Sequence, residues 1–209
     1  MAVGEKISVL IVDDHPMLRE GVAAVLGGEE DMAVAGEATN GVEAVARFAE
    51  LRPDIVLMDL QMSGLDGVAA IKAIRAEASD ARIIVLTTYS GDAQALRALK
   101  AGASGYLLKS SLRRELIDTI RTVHAGRRHI QPEVAQEIAV NAAGDALSER
   151  EIDVLQCVAA GQANKEIARA LSLSEDTVKG HLRSIFNKLD VDDRTQAVTV
   201  GHRRGIIQI

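Results

Sequence analysis

The stretch VLIVDDHP, residues 9–16, sets the reading of the chain: an uninterrupted apolar run stops at two adjacent aspartates, and a proline follows two positions later. A short, continuous run of Val, Ile and Leu reads as a strand buried on both faces. The two carboxylates therefore stand at the carboxyl end of a buried strand. Four further runs of the same kind follow, MAVAGEA, DIVLM, ARIIVLT and GYLLK. Between them lie stretches of helical period such as GVEAVARFAEL and DAQALRALKAGA. Strands alternating with helices imply a parallel sheet covered on both sides. Up to about His124 the sequence predicts a doubly wound α/β domain with a five-stranded parallel sheet.

From Ala146 the grammar changes to helices alone. Between the two halves, AGRRHIQPEVAQEIAVNAAGD carries Gly126, Pro132 and a Gly-Asp ending, the composition of a linker with one helix starting near Pro132. The expected organisation is an α/β domain over 1–125, a linker over 126–144 and a small all-α domain over 145–209.

Composition narrows the function classes. The chain has 209 residues, 47% hydrophobic and 26% charged, enough to bury a sizeable core. No uncharged apolar stretch reaches the roughly 18 to 20 residues a membrane helix needs, and MAVGEKIS lacks the pattern of a signal peptide. The cytoplasm is the expected location, with no membrane partner. The single Cys157 excludes an internal disulfide and reads as a small core residue. The net charge of −6 argues against a protein that coats nucleic acid without specificity, but from Asp145 onward 10 acids face 9 bases, close to balance. With two Phe, two Tyr and no Trp, the stacking platforms for single strands are missing, so a nucleic-acid partner should be a duplex.

In open parallel sheets, ligands bind beyond the carboxyl ends of the strands. Those ends carry Asp13 and Asp14, Asp59, Thr87 and Lys109. Gathered carboxylates repel one another unless a cation joins them, and an all-oxygen set suits Mg²⁺, which welcomes a phosphate as a further ligand. Lys109 adds a second positive charge and Thr87 a hydroxyl donor. These are the parts that neutralise a phosphoryl group in transfer to a carboxylate nucleophile.

Residues 7–124 resemble the receiver domain of bacterial two-component response regulators, on VDDHP, IVLMDLQMSGLDG, VLTTYS and AGASGYLLK. The resemblance implies a flavodoxin-like fold with Asp59 as phosphoacceptor. It further implies Mg²⁺ held by Asp14, Asp13, Asp59 and the backbone carbonyl of Gln61. Lys109 would pair with the phosphoryl oxygens, Thr87 would move to bond them, and Tyr106 would be the aromatic switch that follows. Two positions depart from the family pattern: Ser63 stands where a proline usually follows the acceptor loop's methionine, and Ser110 where many receivers have proline after the lysine. The first loosens a φ angle, and the second makes a cis peptide there less favourable. Both bear on the lifetime of the acyl phosphate.

In the second half, KEIARALSLSEDTVKGHLRSIFNKL holds two helical patterns separated by Ser172-Leu173-Ser174. Ser174 reads as an N-cap, with Glu175 and Asp176 placed where the helix dipole favours acids. Val178, Leu182, Ile185 and Leu189 form one apolar stripe, and the opposite face presents Gly180, Arg183 and Asn187, with Lys179 and Ser184 toward its edges. The charged residues between Thr177 and Leu189 are Lys179, Arg183 and Lys188, all positive. A short helix, a three-residue turn and a basic second helix make a helix-turn-helix whose second helix enters the major groove. Thr177, Lys179, Gly180, Arg183, Ser184, Asn187 and Lys188 are the candidate contacts; His181 reads as packing first.

The stretch from Leu147 to Val198 resembles the LuxR-type helix-turn-helix domain, and the whole chain is similar to NarL/FixJ-family response regulators. The resemblance implies a four-helix DNA-binding domain whose last helix, near Arg194 to Arg204, forms a dimer on DNA. The function expected is a transcription factor phosphorylated on Asp59 by a sensor histidine kinase, with duplex DNA, a second copy of the chain and RNA polymerase as partners. It is not an enzyme beyond its own phosphoryl transfer and dephosphorylation. The alternative is a DNA-binding regulator whose receiver is controlled by a partner or ligand without phosphorylation. A Mg²⁺-dependent phosphatase would carry Asp-x-Asp on one strand, which is missing, and a flavodoxin-like cofactor binder would not place acids where it needs phosphate donors.

Overall fold

A computed structural model describes residues 6–62, 66–88, 92–141 and 147–207. Ser63 lies outside the described residues. The chain forms two compact units, one α/β and one helical.

The first unit runs β1 (Ile7–Val12), α1 (Pro16–Gly27), β2 (Met32–Ala38), α2 (Gly41–Leu51), β3 (Ile55–Asp59), α3 (Gly67–Glu77), β4 (Ile83–Thr87), α4 (Asp92–Ala101), β5 (Gly105–Leu108) and α5 (Leu112–His124). These are followed by β6 (His129–Ile130) and α6 (Pro132–Asn141). The sheet order is β2-β1-β3-β4-β5-β6, and every pairing is parallel. The five predicted strands are present. The sixth, two residues inside the segment read as a linker, pairs Gly105 with His129 and Tyr106 with Ile130.

Strand alternation sends Val9, Ile11, Leu57, Leu86 and Leu107 to one face, where they pack with Val22 and Leu26 of α1 and with Leu116, Ile120 and Val123 of α5. Leu10, Val12, Val56 and Met58 point the opposite way and are equally buried. Burial on both faces is why these runs carry no polar alternation, each large side chain contributing about 1.5–3 kcal/mol. The order reverses at β1, whose neighbours are β2 and β3, so the loops after β1 and β3 splay apart and leave a crevice. Register then aligns the strand ends: Val12 lies beside Met58, Asp59 beside Leu86, and Thr87 beside Leu108. At Gly67 a Cβ would stand 2.1 Å from the carbonyl oxygen of Asp59. Only glycine lets the start of α3 come so close to the end of β3.

The second unit comprises α7 (Glu149–Ala159), α8 (Asn164–Ala170), α9 (Glu175–Leu189) and α10 (Arg194–Arg203). Its core joins Val154, Leu155 and Val158 of α7 and Ile167 of α8 to the stripe Val178, Leu182, Ile185 and Leu189 of α9. Ser174 caps α9 by accepting the Thr177 N–H at 3.0 Å, and Asp190 ends it in the left-handed region at φ 53°. No helix among the described residues is long and apolar enough to cross a membrane.

Candidate functional site

Asp13 follows β1, Asp59 ends β3, Thr87 ends β4 and Lys109 follows β5, so the sheet itself brings these four side chains to one edge. Asp13 and Thr87 are fully buried and Asp59 is 1% exposed. Lys109 Nζ lies 2.7 Å from Asp13 Oδ2 and donates to Asp59 Oδ2 at 2.8 Å. Tyr106, three residues earlier on β5, is wholly buried. The bond between Lys109 and Ser110 is trans.

The electrostatics follow from burial. Desolvation pushes the Asp59 carboxyl above its ordinary value; Lys109 and the Gln61 N–H, which donates to Asp59 Oδ1 at 3.1 Å, pull the other way, and Asp13 adds repulsion. Burial disfavours the Lys109 ammonium too, but the negative carboxylates of Asp13 and Asp59 beside it outweigh that, and its pKa is raised. Lys109 is thus held protonated beside an acid that is costly to keep ionised.

One ligand atom from each of Asp13, Asp14, His15 and Asp59 lies within 4.8 Å of the others. Asp13 Oδ2 and Asp14 Oδ1 are buried and accept no hydrogen bond of good direction, although Lys109 and His15 Nδ1 stand 2.7 Å and 2.8 Å from them. Proximity without alignment leaves lone pairs available, and the oxygen-rich donor set fits a hard divalent cation.

Sequence reasoning missed two members of this neighbourhood. His15 is the N-cap residue of α1, and its ring nitrogen faces both Asp13 and Asp14. Arg19, one turn into α1, donates to the Asp13 carbonyl at 2.8 Å and to Glu37 Oε2 at 2.9 Å, which fixes the backbone carrying the acids. Nothing local in the sequence signals Arg19, whose partners are a backbone carbonyl six residues earlier and a side chain on β2.

On α9, Thr177, Lys179, Gly180, Arg183 and Asn187 are exposed, as the wheel required. A Cβ on Gly180 would meet nothing within 4 Å, so internal packing does not demand the glycine. Lys179 makes an exposed ion pair with Asp176 at 3.0 Å. Ser184 and Lys188 are half-buried and have a partner within the unit. Ser184 donates to Glu151 Oε1 at 2.6 Å and Lys188 to Glu151 Oε2 at 2.9 Å. Both turn toward α7, because Glu151 is a buried carboxylate that needs partners. His181 is half-buried, in keeping with packing.

An acid pocket with a half-buried lysine at the edge of a parallel sheet, carried in one chain with a basic helix-turn-helix, defines a signal-receiving DNA-binding regulator. Comparison with known proteins gives the family. Residues 9–121 match the response regulator receiver domain, and residues 145–200 match the bacterial regulatory proteins of the luxR family. The transcriptional regulatory protein LiaR of Bacillus subtilis is 42% identical over 209 residues, covering 96% of this chain and 99% of LiaR. The response regulator protein VraR of Staphylococcus aureus is 38% identical over 207 residues, covering 97% and 99%. Among solved structures, RcsB from Salmonella enterica serovar Typhimurium, bound to a promoter with the phosphomimetic BeF₃⁻, is 28% identical with a TM-score of 0.73, covering 94% of this chain and 98% of that one. The chain belongs to the response regulators that join a receiver to a LuxR-type helix-turn-helix: it is a DNA-binding member of a two-component system.

Proposed function

We propose that Asp59 is the phosphoacceptor and that its phosphorylation by a sensor histidine kinase controls dimerisation and duplex DNA binding in the cytoplasm. The observation that carries this reading is the Asp59 carboxylate, buried at the end of β3 and held at 2.8 Å by Lys109. An Asp59 oxygen forms the new bond to phosphorus as the donor's phosphorus–nitrogen bond breaks. The Lys109 ammonium is already positioned to meet the charge on the phosphoryl oxygens, and Thr87 offers a hydroxyl from the neighbouring strand. Asp13, Asp14, Asp59 and the Gln61 carbonyl would hold Mg²⁺, which supplies further positive charge to the same oxygens. Tyr106 is the aromatic that responds to Thr87. The test is operator binding before and after incubation with acetyl phosphate and Mg²⁺: tighter binding of a duplex selected in vitro with the phosphorylated chain is expected, and equal binding would leave control to a partner or ligand.

Binding of Mg²⁺ to the folded receiver alone raises its melting temperature by mass action, by about 2.7 kcal/mol of stability at one hundred times Kd. The shift should shrink sharply in Asp14→Ala, measured by calorimetry with Ca²⁺-free buffers; an unchanged shift places the cation elsewhere.

On DNA, Arg183 is the exposed side chain suited to guanine O6 and N7, while Lys179 is placed to anchor phosphate. Arg183→Ala should weaken binding to the selected duplex by about 1–3 kcal/mol and relax discrimination at one base pair, whereas Lys179→Ala should weaken all sequences alike and reduce the salt dependence. Titrations at two salt concentrations separate the two behaviours. Equal loss on selected and unrelated duplexes for Arg183→Ala would remove it from base readout.

A further inference from the structure

Gln131 is a neutral polar side chain at the head of the linker, yet it is 1% exposed. Its carboxamide uses both ends. Oε1 accepts the Leu108 N–H at 2.7 Å, and Nε2 donates to Glu115 Oε2, in the first turn of α5, at 2.8 Å. Its own N–H points to the Tyr106 carbonyl at 3.4 Å, and its carbonyl accepts the Ala135 N–H at 2.9 Å, opening α6. Ladder pairing between β5 and β6 ends at Tyr106 and Ile130, so the Gln131 side chain supplies to Leu108 the acceptor that a longer strand would have given.

Leu108 is the residue immediately before Lys109, and it lies beside Thr87 in the β4–β5 register. A shift at the phosphoryl site therefore acts on a strand end whose last N–H, that of Leu108, is held by Gln131. The backbone of Gln131 in turn begins α6. We propose that Gln131 is a positioning residue that ties the Leu108 N–H, one residue before Lys109, to the first turn of α6, carrying the phosphorylation state of the receiver into the linker. The proposal rests on the phosphorylation reading above.

The test uses the full chain and the in vitro selected duplex. The wild-type ratio of affinities with and without phosphorylation is measured first; coupling of ordinary size gives roughly 5- to 150-fold. A wild-type ratio of one would sink the phosphorylation reading itself and is thereby distinct from failure of this proposal. Gln131→Leu, of similar size but unable to accept or donate, should accept one phosphoryl group as wild type does, while its affinity ratio falls toward one. The exchanged pair Gln131→Glu with Glu115→Gln restores an acceptor for Leu108 and a donor between the two side chains, and should recover most of the ratio. If Gln131→Leu does not fold, Gln131→Asn, which withdraws the amide by one methylene, carries the same expectation. A wild-type ratio in the folded variant overturns the proposal, and so does loss of phosphorylation, which would place Gln131 in building the site rather than in reporting its state.

Discussion

Asp59→Asn is expected to take phosphoryl incorporation from one group per chain to none. Intact mass after incubation with acetyl phosphate and Mg²⁺ reads it, with peptide mapping to locate any residual label. Asparagine keeps the volume of a side chain buried at the end of β3, and Lys109 retains Asp13 at 2.7 Å, so the pocket's architecture has reason to persist. What disappears is the anionic carboxylate, the nucleophile at that position, because an amide oxygen carries no charge and the amide nitrogen's electron pair is delocalised into the carbonyl, so neither attacks phosphorus effectively. A chelator should give the same null mass with the wild-type chain, for a different reason: the phosphoryl oxygens then lose part of their counter-charge. Label retained by Asp59→Asn and mapped to Asp14, the more exposed acid of the cluster, would overturn the assignment.

The strand ends were legible because a parallel sheet buried on both faces writes its strands as unbroken apolar runs, and the first polar residue after each run must lie at one edge. That logic placed Asp13, Asp59, Thr87 and Lys109 together, and the same periodic reading placed the buried stripe of α9. It could not find β6. Two residues flanked by Arg127, Arg128 and Gln131 carry no period, and their pairing partner is β5, more than 20 residues earlier. Gln131 was invisible for a related reason: its burial comes from what α5 and β5 offer it, and nothing local announces those partners.

Ser184 and Lys188 show the same limit from the other side. A helical wheel gives an angle, and at that angle both belong to the rim of the basic face. It does not show the carboxylate of Glu151, 33 residues before Ser184 in sequence, that meets them. The clue available was Ser148-x-x-Glu151, the pattern of a capping box, which the structure contains. A glutamate fixed at N3 of α7 is a glutamate with a defined direction.

Glu151 gives the second large effect. Burial alone would raise its pKa, but hydrogen bonds from Ser184, Lys188, the Ser148 N–H and the Ser148 hydroxyl region overcome it and hold the carboxyl at about 2, against 4.5 ordinarily. The folded state therefore binds fewer protons than the unfolded state between those two values. Stability linked to Glu151 is fully present above about pH 4.5 and is lost as the pH falls toward about 2, and it amounts to roughly 3 kcal/mol at 1.36 kcal/mol per unit. Urea unfolding followed through the amide NMR resonances of Val154 and Ile185 should show that loss within the helical unit. Glu151→Gln removes the titrating group and should flatten the window, at the expense of stability near neutrality, where the Glu151 charge no longer meets Lys188. Glu151→Ala should be less stable by about 3 kcal/mol at pH 7, since it leaves the Lys188 ammonium, the Ser184 hydroxyl and the first turn of α7 without their common acceptor. DNA affinity of the folded fraction should change far less than it does in Arg183→Ala. A Glu151→Gln profile that still loses the same stability between pH 4.5 and 2 would assign the acid sensitivity to another carboxylate of the unit.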